Sequence, residues 1–329
     1  TVPTCRVIGE YFDQITFPFK RYQIQPAFRA EKPQKGRYRE FVQADIDIFG
    51  SNSPIADAEC IAASIDLYQT LGFKNTVVLI NNRDLLSGLP YPVIAAIDKL
   101  KKIGPDRVLS EIQQKGYTLS QAREFLTAAS KTTPDNKLQT IFDYLLTSGF
   151  SKTSFQFDPT LMRSFSYSQG PIWEITLPEY QTASFGGSVG GGERYDNMVE
   201  RITGRKIAGT GVAFGFDRTL EALEVYQLLP TIKPNTKVLV TIFSPELLTT
   251  SIKIGTVLRA ENINTELYPN ESEKLDKQLK YADKKEIPFV IFIGPEEAAK
   301  KLVKLKNMQE RTEKVISISE AVTLLSGNL

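Results

Sequence analysis

The chain of 329 residues contains no histidine. That excludes histidine metal ligands, imidazole general bases and Ser–His triads. Proton transfer must then use carboxylates, phenols or the substrate itself. Cysteine is nearly as scarce, with only Cys5 and Cys60. Two scattered cysteines make neither a metal-ligand pattern nor a disulfide framework, and they fit a reducing cytosol. No apolar run approaches the length of a membrane span, and no signal-peptide pattern is present. A cytoplasmic protein without a membrane partner is expected. A strong charge of one sign is also missing: the formal net charge is +2. Bulk charge therefore does not mark a nucleic-acid binder, and any such contact must rest on local charge. The length leaves room for about two or three domains. The opening Thr1-Val2-Pro3 has no initiating Met and reads as mid-domain, so an N-terminal truncation is expected.

What charge there is collects in one stretch. Between Lys20 and Arg39 stand seven Lys or Arg and a single acid, Glu31, a local charge of +6. Arg29, Arg37 and Arg39 surround a turn centred on Pro33-Gln34-Lys35-Gly36. Residues 21–28 before it read as a strand. Residues 42–49 after it alternate, with Val42, Ala44, Ile46 and Ile48 on one side and Gln43, Asp45, Asp47 and Phe49 on the other. An antiparallel hairpin is expected, with one packed face and one face free for a ligand. Guanidinium groups suit a polyphosphate because they are always charged and present rigid donors. Gln43, Asp45 and Asp47 could receive an amine or a ring N–H. Such a hairpin could hold a nucleoside triphosphate beside a small amino compound; it could equally be an ordinary hairpin with solvated charges.

The run from Phe28 to Phe41 resembles motif 2 of class II aminoacyl-tRNA synthetases, in the form found in histidyl-tRNA synthetases. The resemblance implies that Arg29 grips the α-phosphate of ATP, that Glu31 and Arg37 also serve ATP, with Arg37 on the far phosphates, and that Phe41 lies under adenine. It implies that Gln43 and Asp47 bind histidine, and that Thr1 helps to hold the substrate amino group. The segment Leu161-Met162-Arg163-Ser164-Phe165-Ser166-Tyr167-Ser168-Gln169-Gly170-Pro171-Ile172-Trp173-Glu174 resembles the family's own signature. Arg163 matches its catalytic arginine, opposite Arg29 across the α-phosphate. A second fixed cation suits the charge that builds on phosphate oxygens during the reaction. Tyr167 and Ser168 match positions beside the histidine. Ser164, Ser166 and Ser168 depart from the family's glycine, aspartate and second tyrosine. A serine is shorter than tyrosine, so a water could fill the gap or the specificity could differ.

Gly190-Gly191-Gly192-Glu193-Arg194-Tyr195-Asp196 resembles a glycine-rich strand that passes beneath the amino acid, with Tyr195 facing the substrate ring. No Lys-Ser/Thr follows it, so it is no P-loop. Residues 207–220 resemble motif 3, in which Arg218 stacks on adenine and reaches the γ-phosphate; Asp217 stands where a glutamate is usual.

The rest of the chain reads as organisation. Residues 51–54 are a loop and helix-cap signal, 55–71 a helix and 76–81 a buried strand. Residues 84–130 are helix-rich, with Ser120 as an expected cap, and 133–149 form another helix. A linker is expected between 228 and 236. Beyond it strands at 237–243, 264–268, 288–293, 303–308 and 314–318 alternate with helices at 246–261 and 272–285, an α/β pattern. The resemblance implies an α+β class II catalytic domain, an antiparallel sheet flanked by helices, at 1–82 and 150–230 and lacking motif 1. It implies a helical insertion at 83–149 and an α/β anticodon-binding domain at 236–329. The implied function is histidine–tRNA ligation through histidyl-adenylate, with ATP, Mg²⁺ carried on the ATP, L-histidine and tRNA(His). No metal site of the protein's own is expected. A homodimer is expected of the full-length protein, and a truncated chain is expected to be inactive alone. The alternative is a non-catalytic paralogue, such as the histidine-sensing regulatory subunit of ATP phosphoribosyltransferase, which normally lacks an anticodon-binding domain.

Overall fold

The computed structural model describes residues 1–329 apart from 31, 34–37, 164–168, 179, 181–187, 231–234 and 328–329. Glu31, Arg37, Tyr167 and Ser168, with Ser164 and Ser166, lie outside the described residues. The chain divides into two compact units, Thr1–Leu229 and Pro230–Leu329.

The first unit opens with α1 (Val2–Glu10), followed by the expected hairpin of β1 (Phe19–Phe28) and β2 (Glu40–Phe49). The strands pair from Phe28 opposite Glu40 to Phe19 opposite Phe49. Burial along β2 is graded rather than alternating. Glu40 is exposed, while Asp47, Ile48 and Phe49 are all buried. Both faces of the strand's far end are covered, because Ile48 joins the main core and Phe49 joins a second cluster with Cys5, Ile8 and Tyr195.

Ser53 then starts α2 (Pro54–Thr70), its hydroxyl accepting the Ile55 N–H at 3.2 Å. After β3 (Val77–Asn82) come α3 (Tyr91–Ile97), α4 (Leu100–Ile103), α5 (Pro105–Gln114) and α6 (Leu119–Ser130). These helices close a core of their own around Val93, Ile97, Val108, Ile112 and Ala122. Thr118, not Ser120, caps α6. Its hydroxyl accepts the Gln121 N–H while the Gln121 side chain accepts the Thr118 N–H. That reciprocal box places Ser120 inside the first turn. The next helix, α7 (Asn136–Thr147), is capped by Asp135 and returns Leu138, Ile141 and Leu145 to the main core.

β4 (Phe155–Phe157), β5 (Gln169–Thr176) and β6 (Ser188–Arg194) follow, then α8 (Asp196–Thr203), β7 (Gly209–Gly215) and α9 (Phe216–Val225). The seven strands form one sheet in the order β1-β2-β7-β6-β5-β3-β4. All neighbours run antiparallel except β3 and β4. Ile61, Ile65 and Tyr68 of α2 pack with Trp173, Ile175, Val212 and Phe214 of the sheet. Burial of such side chains contributes about 1.5–3 kcal/mol each.

The second unit orders its strands β12-β11-β10-β8-β9. They are β8 (Val238–Val240), β9 (Thr265–Leu267), β10 (Phe289–Phe292), β11 (Leu302–Asn307) and β12 (Thr312–Ser317). β8 is parallel to both of its neighbours, and β11 is antiparallel to both of its own. The helices are α10 (Leu248–Ala260), α11 (Leu275–Lys284), α12 (Pro295–Lys300) and α13 (Ile318–Ser326). Val238 and Val240 join a core with Leu258 of α10 and Leu325 of α13, while Leu239 joins another with Ala282 of α11. A buried strand thus sends alternate residues to helices on opposite faces, as the period of two requires. The helix α13 was not expected from the sequence, although Ser317 and Glu320 form the capping box that announces it. Among the described residues no helix is long and apolar enough to cross a membrane.

Candidate active site

A cavity of about 730 Å³ opens over the middle of the larger sheet. Thr1, Arg29, Phe41, Gln43, Asp47, Arg163, Tyr195 and Arg218 all line it. Every expected site residue within the described part of the chain therefore meets at one place. The cavity has an acidic end and a cationic end.

Asp47 is the centre of the acidic end. On β2 it sits directly opposite Arg21 of β1 on one side and Gly211 of β7 on the other. It is only 6% exposed. The Tyr195 hydroxyl donates to Asp47 Oδ1 at 2.5 Å, and Arg21 Nε lies 3.3 Å from Oδ2. Burial pushes the Asp47 carboxyl above the usual range, against the Tyr195 hydrogen bond and the Arg21 charge. Burial pushes the Tyr195 phenol far above its ordinary value too, helped by the Asp47 charge, so this phenol stays a donor. A side chain at 211 could not share the space: a Cβ there would strike Asp47 Oδ1. Tyr195 lines the cavity, its hydroxyl is committed to Asp47, and its ring packs edge-on against Phe49. Nearby, Gln43 Nε2 donates to Asp45 Oδ1 at 2.7 Å. Thr1 occupies the N-cap position of α1, but its side chain makes no capping bond.

The cationic end holds three arginines from separate elements. Arg29 follows β1, and its Cζ lies 3.9 Å from the centre of the Phe41 ring, a cation–π contact. Arg218 extends from the first turn of α9 and donates to the Ser188 carbonyl at 3.0 Å. Its neighbour Asp217 accepts the Val42 N–H at 2.9 Å, so the shorter acid still ties this helix to β2. Arg163 donates to the Trp173 carbonyl at 3.3 Å, and its Nε stands 3.7 Å from Glu193 Oε2. Its φ of 41° is in the left-handed region, unusual for a residue with a side chain. The guanidinium lies along β6, where a Cβ on Gly191 would overlap it. The glycines here are steric requirements of the arginine as well as of any ligand.

Motif reading missed residues that act through others. Arg21 does not line the cavity but stands behind Asp47. The turn alone could not have found it, because a turn centred on 33–36 would set 21 opposite 48, one residue away from the observed pairing of Arg21 with Asp47. Glu193 and Glu174 line the cavity from within the motif segments, although no role was assigned to them, and Asp98 lines it without any motif to mark it. Arg194 is structural. Buried beside Asp57 at 2.7 Å, it also donates to the Ser51 and Ser53 carbonyls, fastening the β2–α2 loop to β6.

Three arginines and a buried acid line one cavity over this mostly antiparallel sheet, the arrangement expected of a catalytic domain of the class II synthetase type. The family model for histidyl-tRNA synthetase matches residues 106–219, and that for an anticodon binding domain matches 237–328. The chain is 37% identical to a histidine–tRNA ligase of Cytophaga hutchinsonii, over 98% of this chain and 77% of that protein. It is 36% identical to one of Christiangramia forsetii, over 94% of this chain and 74% of that protein. Among solved structures, histidyl-tRNA synthetase from Nostoc sp. PCC 7120 superposes with a TM-score of 0.78 at 26% identity, covering 100% of this chain and 82% of the other. The chain belongs to the histidyl-tRNA synthetase family.

Proposed function

We propose that this chain is a histidine–tRNA ligase, joining histidine to ATP as histidyl-adenylate and then passing the histidyl group to tRNA(His). The observation that carries the reading is the convergence of Arg29, Arg163 and Arg218 with Gln43, Asp47 and Tyr195 on one cavity. In the first step the histidine carboxylate attacks the α-phosphate and pyrophosphate leaves. Arg29 and Arg163 would hold the α-phosphate oxygens from two sides, where charge accumulates. To do so Arg29 would swing from the Phe41 ring, whose face then receives adenine, with Arg218 covering it. Glu31 and Arg37 would complete the ATP contacts. Mg²⁺ would ride on the pyrophosphate portion of ATP; among the described residues no group of three or more Asp, Glu, Cys or His is placed to hold an ion.

At the other end Asp47 would accept an imidazole N–H, and Gln43, Thr1, Tyr167 and Ser168 would complete the amino-acid site. In the second step the 3′-terminal adenosine hydroxyl attacks the histidyl carbonyl and AMP leaves. With no histidine in the chain, the hydroxyl proton goes to a carboxylate, a phenol or the adenylate phosphate. The anticodon-binding match at 237–328 favours this reading over a histidine-sensing paralogue. A cytoplasmic location and a homodimer accompany it. Histidine-dependent ATP–pyrophosphate exchange by the full-length protein, followed by charging of tRNA(His), tests it. Absence of exchange with every amino acid would remove the enzyme, and exchange with another amino acid alone would remove histidine as the substrate.

A further inference from the structure

Arg21 has no place in the reaction as described, yet it is built into the amino-acid end. Its position is dictated by register, since it faces Asp47 directly across the β1–β2 hairpin. Oppositely charged residues in that relation attract each other across the ladder. Its guanidinium is anchored by Nη1, which donates to Thr4 Oγ1 at 2.5 Å, while Nε stands 3.3 Å from Asp47 Oδ2 as an ion pair without hydrogen-bond geometry. The side chains of Arg21 and Asp47 are 14% and 8% exposed, so solvent screens the pair little. The Tyr195 hydroxyl takes the other carboxylate oxygen. With the Tyr195 donor on Oδ1 and the Arg21 charge beside Oδ2, the carboxylate is held from two sides, and its remaining lone pairs are available to the cavity that Asp47 lines.

We propose that Arg21 is the positioning residue that keeps Asp47 charged and aimed, so that this carboxylate selects an amino acid with a ring N–H donor. The inference rests on the ligase reading above. Asp47 is surrounded by Arg21 from β1, Asp45 from its own strand, Tyr195 at the end of β6, Cys5 from α1 and Cys60 from α2. Burial and Asp45 push the carboxyl towards its neutral form, while Tyr195 and Arg21 push it towards the anion. Without Arg21 the balance moves to the neutral acid. A neutral Asp47 is a donor as well as an acceptor, and it no longer prefers an imidazole N–H.

The test compares wild type, Arg21→Met and Arg21→Lys, each in the full-length protein, in histidine-dependent pyrophosphate exchange from about pH 6 to about pH 9. Methionine keeps the apolar stem and removes the charge; lysine keeps the charge. Far-UV circular dichroism confirms that each variant folds. Arg21→Met should raise KM for histidine about tenfold or more, the scale of one charge-assisted contact, with KM for ATP changed less than about twofold. The acid limb of kcat/KM for histidine should move to higher pH, and Arg21→Lys should recover most of the lost affinity. The free imidazole titrates alike for all three proteins, so only the difference between them reads Asp47. Equal rises in both KM values, an unmoved limb, or no recovery with lysine would each overturn the proposal. If wild type shows no exchange with histidine, the ligase reading fails; histidine binding by calorimetry on the same proteins then decides Arg21. A tenfold loss in Arg21→Met alone upholds it, and equal or absent binding sinks it.

Discussion

Arg163 combines a positive φ, an ion pair at the edge of bonding distance and a guanidinium lying where any Cβ at 191 would stand. Strain held in place by close neighbours is a common property of groups aimed at a reacting atom. Replacing Arg163 by Ala should therefore leave the fold intact and lower adenylate formation by about 10²–10³ in kcat, the usual cost of losing one stabilising donor. Pyrophosphate exchange beside a circular dichroism spectrum measures this, and near-wild-type exchange would remove Arg163 from the mechanism. Tyr195 acts differently, because its hydroxyl reaches Asp47 and not the open cavity. Tyr195→Phe takes away a hydrogen bond that holds the Asp47 carboxyl down, so the carboxyl rises and the acid limb of histidine use moves to higher pH. The stability cost should be about 1 kcal/mol, read by urea melts. A limb that stays in place would mean that Tyr195 does not govern Asp47.

At the scale of elements, strands and helices were legible wherever a short-range rule applied. The hairpin followed from its turn residues and alternation, α2 from Ser53-Pro54, and the second unit from alternating strand and helix patterns. The site was legible because its motifs are contiguous: Arg29, Phe41, Gln43 and Asp47 are close along the chain, and Arg163, Tyr195 and Arg218 each carry a local signature. What escaped was relational. The Tyr195–Asp47 bond spans 148 positions, and the Arg21–Asp47 pair is a consequence of register. Thr118 displaced Ser120 because the cap is decided by the reciprocal bond with Gln121, not by serine itself. Another such relation joins α4 to the turn that follows β4. Lys101 reaches Asp158 at 2.5 Å, and the Thr160 N–H and hydroxyl donate to the same carboxylate. Burial raises the Asp158 carboxyl, but these donors outweigh it and leave it below the usual range. A carboxyl lowered on folding adds stability above its unfolded pKa of about 3.9 and loses it as pH falls through the folded value. Asp158→Asn should cost about 1 kcal/mol at neutral pH, discounted because Lys101 is 61% exposed on its side chain. Melts of variant and wild type should draw together as the pH falls below the unfolded pKa and through the lower folded value. A gap that persists there would assign the effect to packing rather than charge.

For the molecule as a whole, the decisive fact is where cores and cavity fall. The described clusters of buried residues belong either to Thr1–Leu229 or to Pro230–Leu329, with no member shared. A unit with a closed core is expected to unfold cooperatively by itself. All residues lining the large cavity lie in the first unit. Ligands that bind only the folded form stabilise what they bind, by about 2.7 kcal/mol at a hundredfold excess over Kd. Histidine with a non-hydrolysable ATP analogue should therefore raise the unfolding temperature of the first unit by about 5–10 °C, the shift expected for a unit of this size. The transition of the second unit should not move. Differential scanning calorimetry gives the two temperatures, and hydrogen exchange, read on Val212 and Phe214 for one unit and Val240 and Ile291 for the other, assigns them. Protection rising equally in both units would mean that the amino-acid and ATP sites are coupled to the anticodon-binding unit, and that the two should be treated as one thermodynamic system.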